Sequence, residues 1–227
     1  MRRCTRLGCA GAFDVTEVTQ AQVHDWLRLA SEKVTANREY LTELDSAIGD
    51  ADHGTNLSRG LKAVVDRLAQ NSPETIGGLL QAAGMTLVST VGGASGPLYG
   101  TLLLRMSKAV GDNSSVDGEG LAEALRAGLE GVVARGKAEL EDKTMVDALD
   151  PAVNSFESAV GSGASPADAA RSAAEAAAVG RDATEPLVAR KGRASYLGER
   201  SAGHIDPGAA SVTMMVEALA ETLATAA

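Results

Sequence analysis

Tyr40-Leu41-Thr42-Glu43-Leu44-Asp45-Ser46-Ala47-Ile48-Gly49-Asp50-Ala51-Asp52-His53-Gly54-Thr55-Asn56 runs from an apolar-faced helix into a dense polar loop and towards a second helix. Tyr40, Leu41, Leu44 and Ile48 recur at helical spacing and put their side chains on one face. Gly49 is expected to end that helix, because glycine readily takes the left-handed conformation that commonly follows a helix C-terminus. Apolar spacing resumes at Leu57. This alternation of helix, short polar connection and helix decides the fold class, since it continues in both directions along the chain.

Upstream, from Thr16 onward, Val23, Trp26, Leu27, Ala30 and Val34 form one face of a first helix. Downstream, helical stretches are predicted over Leu57–Leu68, Ile76–Val91, Leu98–Val110, Leu121–Ala134, Met145–Val160, Ala167–Val188 and Ala209–Leu223. Turn signals separate them at Ser72-Pro73, Gly92-Gly93, Gly111-Asp112-Asn113, Gly161-Ser162-Gly163 and Ser165-Pro166. About eight or nine helices result, joined by short connections that favour antiparallel neighbours. The run Ala173–Ala178 fits a helix whose small side chains sit at a close contact. Between Ala189 and Pro207 the apolar period lapses among glycines and charges, and a stretch of this kind in a compact domain reads as a lid or binding loop.

Composition agrees with an all-α protein: aromatic residues make up only 3% of the 227, glycine is frequent, and β-branched residues do not gather into alternating runs. A net charge of -9 repels polyanions, and no basic stripe with interleaved aromatics occurs, so nucleic acid and anionic membrane are excluded as partners. An acidic chain still accepts a polyphosphate where a carboxylate-held cation intervenes. Residues 1–15 read as a disordered leader ahead of one domain over 16–227. Cys4 and Cys9, both in that leader, lack histidine partners for a zinc site and read as incidental thiols. The leader has no apolar core of a secretory signal, and no segment spans a bilayer, so a cytoplasmic location is expected.

Three segments carry the chemistry. Asp45 falls in the last turn of its helix, and Asp50 and Asp52 flank one residue of the loop, so in an extended backbone they point the same way. One such aspartate would merely cap a turn. Three converging carboxylates call for a cation, and oxygen ligands suit magnesium. His53 and Asn56 follow closely, with side chains suited to hydrogen-bonding phosphate or a metal-bound carboxylate.

The second segment is Thr90-Val91-Gly92-Gly93-Ala94-Ser95-Gly96-Pro97-Leu98-Tyr99-Gly100-Thr101. Its glycines let backbone amides approach an anion and Pro97 suits a first helical turn, so a helix N-terminus is set to receive phosphate. No Lys-Ser/Thr follows at Walker spacing. The third is Arg190-Lys191-Gly192-Arg193 through Ser201, followed by His204, Asp206, Pro207 and Gly208, where basic side chains on a loop can close over phosphates; a solvated surface loop is the other reading of that stretch.

Taken in order, Gly49–Gly54, Gly84-Met85-Thr86 through Gly100, Arg135-Gly136-Lys137-Ala138, Asp142-Lys143-Thr144-Met145 and Lys191 to Asp206-Pro207-Gly208 resemble the L subunit of dihydroxyacetone kinases, also found as the C-terminal domain of single-chain enzymes. The resemblance covers about Val18 to Leu223. It implies an antiparallel eight-helix barrel with a nucleotide site at one end, ADP or ATP being held through two magnesium ions on Asp45, Asp50 and Asp52. It also implies that His53, Asn56, Gly92, Gly93, Ala94, Ser95, Gly136, Met145, Arg193, Asp206, Pro207 and Gly208 line the nucleotide, with Met145 against adenine and Arg193 acting with the aspartates in phosphoryl transfer.

The implied partners are a K subunit that holds dihydroxyacetone and a phosphocarrier M subunit, supplied by the phosphoenolpyruvate system, that rephosphorylates the nucleotide in place. Two further readings stay open: an ATP-dependent dihydroxyacetone kinase whose nucleotide exchanges with solution, and a nucleotide-loaded co-regulator of a transcription factor. Fatty-acid kinases carry a related domain, but their aspartate loop lacks the Asp52-His53-Gly54 pattern.

Overall fold

Thr19 opens the first helix by a reciprocal cap: its Oγ1 accepts from the Gln22 backbone N–H at 3.3 Å, while the Gln22 side chain accepts from the Thr19 N–H at 2.8 Å. A computed structural model describes residues 17–225, and the readings made for the leader, including Cys4 and Cys9, lie outside them. Helix α1 spans Gln20–Ala36, α2 Arg38–Ile48, α3 His53–Gln70, α4 Ile76–Thr90, α5 Ser95–Val110, α6 Gly118–Gly136, α7 Val146–Gly161, α8 Pro166–Ala183 and α9 Pro207–Ala224. Thr75, Asp117, Ser165 and Asp206 cap α4, α6, α8 and α9, each accepting from a backbone N–H three residues on. Pro166 and Pro207 stand in the first turns of α8 and α9, where a missing N–H is harmless.

The fold is all-α apart from one short ribbon. β1, Glu17–Thr19, pairs antiparallel with β2, Ser115–Asp117, with Val18 opposite Val116. Three residues per strand are too few for alternation to register in the sequence.

Helices next to each other in the chain pack together from α3 through α9, and α1 packs against both α9 and α3. α2 lies against α3. One apolar cluster runs through all of these contacts and includes Trp26, Leu27, Leu61, Leu103, Phe156 and Met215. Trp26 is anchored there by its indole N–H, which donates to the Met215 carbonyl at 2.8 Å; losing such a buried ring costs about 3–5 kcal/mol. Ala169, Ala170, Ala173 and Ala177 are fully or almost fully buried on α8, as a close helix contact requires.

Several boundaries differ from expectation, α5 and α6 among them, each starting three residues early at Ser95 and Gly118. α8 ends at Ala183 rather than near Val188, because Pro186 disfavours helical backbone in the residue before it. α3 starts at His53, ahead of Leu57. Arg193–Ser201 is not structureless: it forms 3₁₀ turns broken at Gly198, whose φ is +57°. No described helix is long and apolar enough to cross a membrane.

Candidate nucleotide and metal site

Asp45 organises the loop that follows α2. Its Oδ2 accepts from the backbone N–H groups of Asp52 at 2.8 Å and His53 at 3.0 Å, folding the loop back over the end of the helix. Gly49 does not adopt the left-handed conformation; its φ is -140°, and Ala51 carries the positive φ of 62° instead. The glycine is required for closeness, since a Cβ at position 49 would lie 2.0 Å from Asp45 Oδ1. Asp45, Asp50 and Asp52 each bring a carboxylate oxygen to within 4.8 Å of the others, with Asp45 buried and Asp50 exposed.

These acids form one side of a cavity of about 440 Å³, a size suited to a small organic ligand. Gly92, Gly93, Ala94 and Ser95 form another side at the start of α5, where Gly93 has a φ of +67°. Gly136 and Met145, at the end of α6 and the start of α7, bound an apolar part with Leu98, Val132 and Ala138. Arg193, Asp206, Pro207 and Gly208 complete the lining together with Lys191. Residues from six separated parts of the chain therefore meet at one end of the helices.

Asn56 lies behind the glycine-rich start of α5. It does not line the cavity; its Oδ1 accepts from Arg59 at 2.9 Å, and its side chain packs behind Gly92. His53 does line it, but both ring nitrogens are already engaged, Nδ1 with Ser95 Oγ at 3.0 Å and Nε2 with Ser211 Oγ at 2.8 Å. Ser211 also shares a hydrogen bond with the Tyr99 hydroxyl at 2.7 Å. Burial holds the imidazole below its ordinary pKa, against the pull of Asp45 and Asp52, so the ring is neutral near pH 7. The same burial raises the Tyr99 phenol. His53 thus fixes Ser95 at the α5 N-terminus rather than reaching freely into the cavity.

The family profile of the DAK2 domain matches residues 47–221. This chain belongs to the DAK2-domain family. It is 46% identical over 197 residues to the ADP-binding subunit DhaL of PEP-dependent dihydroxyacetone kinase 1 of Listeria innocua serovar 6a, covering 87% of this chain and 93% of that protein. The corresponding Escherichia coli (strain K12) subunit is 45% identical over 203 residues, covering 89% and 97%. In three dimensions the chain resembles the dihydroxyacetone kinase of C. freundii with a TM-score of 0.70 at 25% identity; the match takes in 97% of this chain but only 38% of that one. That kinase has also been solved in complex with AMP-PNP and Mg2+.

Within this DAK2 domain, Arg135 and Ser211 carried no assigned role in the sequence. Arg135 and Lys191 add positive charge to the lining. Ser211 lies in the apolar run of α9, where nothing marks it as a partner for a histidine 158 residues away. Asp206 caps α9, accepting from Ala209 N–H at 2.7 Å, and burial pushes its carboxyl up to about 7. The acid trio fits a hard divalent cation: its oxygens converge, one is pre-aligned by two N–H bonds, and a guanidinium, Arg193 Nη2, already stands 3.1 Å from Asp50.

Proposed function

We propose that this chain is the nucleotide-holding subunit of a phosphoenolpyruvate-dependent dihydroxyacetone kinase, working in the cytoplasm. The observation that carries the reading is the meeting, in one cavity of a DAK2 domain, of three aspartates, a glycine-rich helix start and Arg193. The names of the Listeria and Escherichia relatives supply the nucleotide and the kinase. We further propose that α1 and α3–α9 close into an antiparallel eight-helix barrel, a reading supported by the unbroken sequence of neighbour contacts that returns from α9 to α1.

In this reading Asp45, Asp50 and Asp52 hold two magnesium ions, which when bound neutralise charge on the β- and γ-phosphates. The Gly92–Ser95 backbone N–H groups at the start of α5 receive phosphate oxygens, helped by the helix dipole. Met145, Leu98, Val132 and Ala138 offer the apolar surface that would take adenine, and Asp206, Pro207 and Gly208 form the other wall. Arg193 comes down from the 3₁₀ segment to stabilise charge that spreads over the group in transit.

The reaction so supported would move a phosphoryl group from the nucleotide's β-phosphate oxygen to a hydroxyl of dihydroxyacetone held on a separate K subunit, with the hydroxyl proton passing to that subunit. Catalysis by this chain is positioning and electrostatics, with no covalent bond to its own residues. A phosphocarrier M subunit then restores the nucleotide in place.

The test combines pure chain, K subunit and dihydroxyacetone with either ATP alone or the complete phosphocarrier relay. Product formed in many turnovers only with the relay, and ADP found by mass analysis in gently purified chain, are the expected results. Sustained turnover on ATP alone would replace this reading with an exchangeable-nucleotide kinase. Binding of a transcription regulator that depends on loaded nucleotide would add a signalling role.

A further inference from the structure

Lys143 is a buried cation that the chemistry above leaves unused. Its side chain is 1% exposed, and its ammonium donates to four backbone carbonyls: Thr184 at 2.7 Å, Glu185 at 3.2 Å, Leu187 at 3.1 Å, and His204. Among the described residues no carboxylate forms an ion pair with it. Carbonyl dipoles make the direct contacts, and the carboxylates of Asp206, Glu185 and Asp147 favour the charge from further off.

The origin of those carbonyls matters. Thr184, Glu185 and Leu187 belong to the chain leaving α8, and His204 to the chain returning to α9. Between them runs the excursion that brings Lys191, Gly192, Arg193 and Ala194 to the cavity. The excursion has other ties: Gly203 N–H to the Glu185 carbonyl at 2.8 Å, Asp206 N–H to Thr184 Oγ1 at 3.0 Å, Ala189 N–H to Ser201 Oγ at 2.8 Å and, to the wall itself, Arg190 N–H to the Asp142 carbonyl at 3.0 Å. Lys143 is the group that grips both sides of the neck at once. Its own φ is +63°, a conformation that favours glycine or asparagine, so local backbone preference does not explain a lysine here. Two residues on, Met145 lies in the facing wall of the cavity.

We infer that Lys143 is a positioning residue: its ammonium fastens the neck of the 184–204 excursion to the wall that carries Met145, and so sets where Arg193 stands over the acids. The fastening is a property of the chain alone; its effect on ligand retention rests on the nucleotide reading given above.

Lys143→Ala leaves a cradle of four carbonyls that a small ammonium ion can refill. Amide hydrogen exchange of the nucleotide-free variant is expected to accelerate about tenfold or more over residues 188–203 while α1 and α3–α6 keep their protection. ADP, in the presence of magnesium, is expected to leave about tenfold faster. Methylammonium chloride should slow both processes, and tetramethylammonium chloride at equal ionic strength should not. Unchanged exchange over 188–203 in the folded variant, or equal rescue by both salts, overturns the inference.

Should Lys143→Ala fail to fold, the wild-type ammonium decides. A slowly exchanging Lys143 amine signal with nitrogen-15 labelling is expected, and its absence under conditions that preserve the fold overturns the inference. A loosened excursion in the variant, together with wild-type chain that binds no ADP, would sink the nucleotide reading and leave the fastening intact.

Discussion

The guanidinium of Arg193 stands 3.1 Å from the carboxylate of Asp50, although the two residues lie on separate elements more than a hundred positions apart. Their side chains are 66% and 34% exposed, so as a surface pair they contribute little to stability. Their importance is local: the basic excursion is drawn to the one acid of the trio that reaches furthest into solvent. In the proposed function, a divalent cation at Asp50 would compete for the same carboxylate and free the guanidinium for phosphate.

Asp50→Asn is therefore expected to abolish magnesium-dependent retention of ADP, weakening it by about 100-fold or more, while the melting temperature moves little. Calorimetric titration of ADP with and without magnesium measures this. An affinity equal to wild type would remove the metal assignment.

Arg193→Gln should separate turnover from binding. Loss of a group that acts mainly on developing charge lowers the rate about 10²–10³-fold, and ADP affinity changes by less than about tenfold. Steady-state rates with the partner subunits present, set beside calorimetry, check the split. Equal losses in both would instead assign Arg193 to ground-state binding.

Gly49→Ala tests the turn at the end of α2. The added methyl meets Asp45 Oδ1 at 2.0 Å, so either the carboxylate or the loop must move. A stability loss of about 1–3 kcal/mol is expected, together with weakened magnesium binding, because the bonds from Asp52 and His53 to Asp45 are disturbed. Thermal melts and a magnesium titration read the two effects. A variant with wild-type values in both would show that the loop has room.

Asp206 gives a pH dependence with a definite sign. Burial raises its carboxyl to about 7, with Asp147 adding to the rise, while Ala209 N–H and Lys143 oppose it. The unfolded chain releases this proton near the ordinary value of about 3.9, so between there and about 7 the folded state keeps a proton the unfolded state has lost. The contribution is fully present at low pH and is lost as pH rises through the folded value. Urea midpoints of wild type, taken relative to Asp206→Asn, should fall from pH 4.5 to 7.5. Parallel curves would contradict the assignment.

The helices were legible because burial follows period: Val23, Trp26, Leu27, Ala30 and Val34, read as one face, are all buried. The acid trio was legible because a two-residue spacing and a helix end constrain where Asp45, Asp50 and Asp52 can go. What escaped depends on distant backbone. Lys143 binds carbonyls 41 to 61 residues away, and no spacing encodes such a contact. Asn56 sits behind Gly92 with its oxygen taken by Arg59, one turn further along α3, a pairing that no spacing announces. The positive φ expected at Gly49 falls on Ala51, since the two backbone bonds to Asp45 dictate the loop's path more strongly than residue preference does. The 3₁₀ turns of Arg193–Ser201 bury only Ala194 and Ser201, too few apolar positions to leave a period.

The cavity draws on residues from Asp45 to Gly208, almost the whole length of the described chain. A polypeptide emerging from the ribosome thus has no partial version of this pocket to offer, and a ligand seated there grips the first and last thirds of the sequence together. Occupancy should therefore raise the unfolding transition as a whole instead of protecting one segment. A truncation just before α9, which leaves all three acids in place, would still forfeit capture, because one wall would be gone.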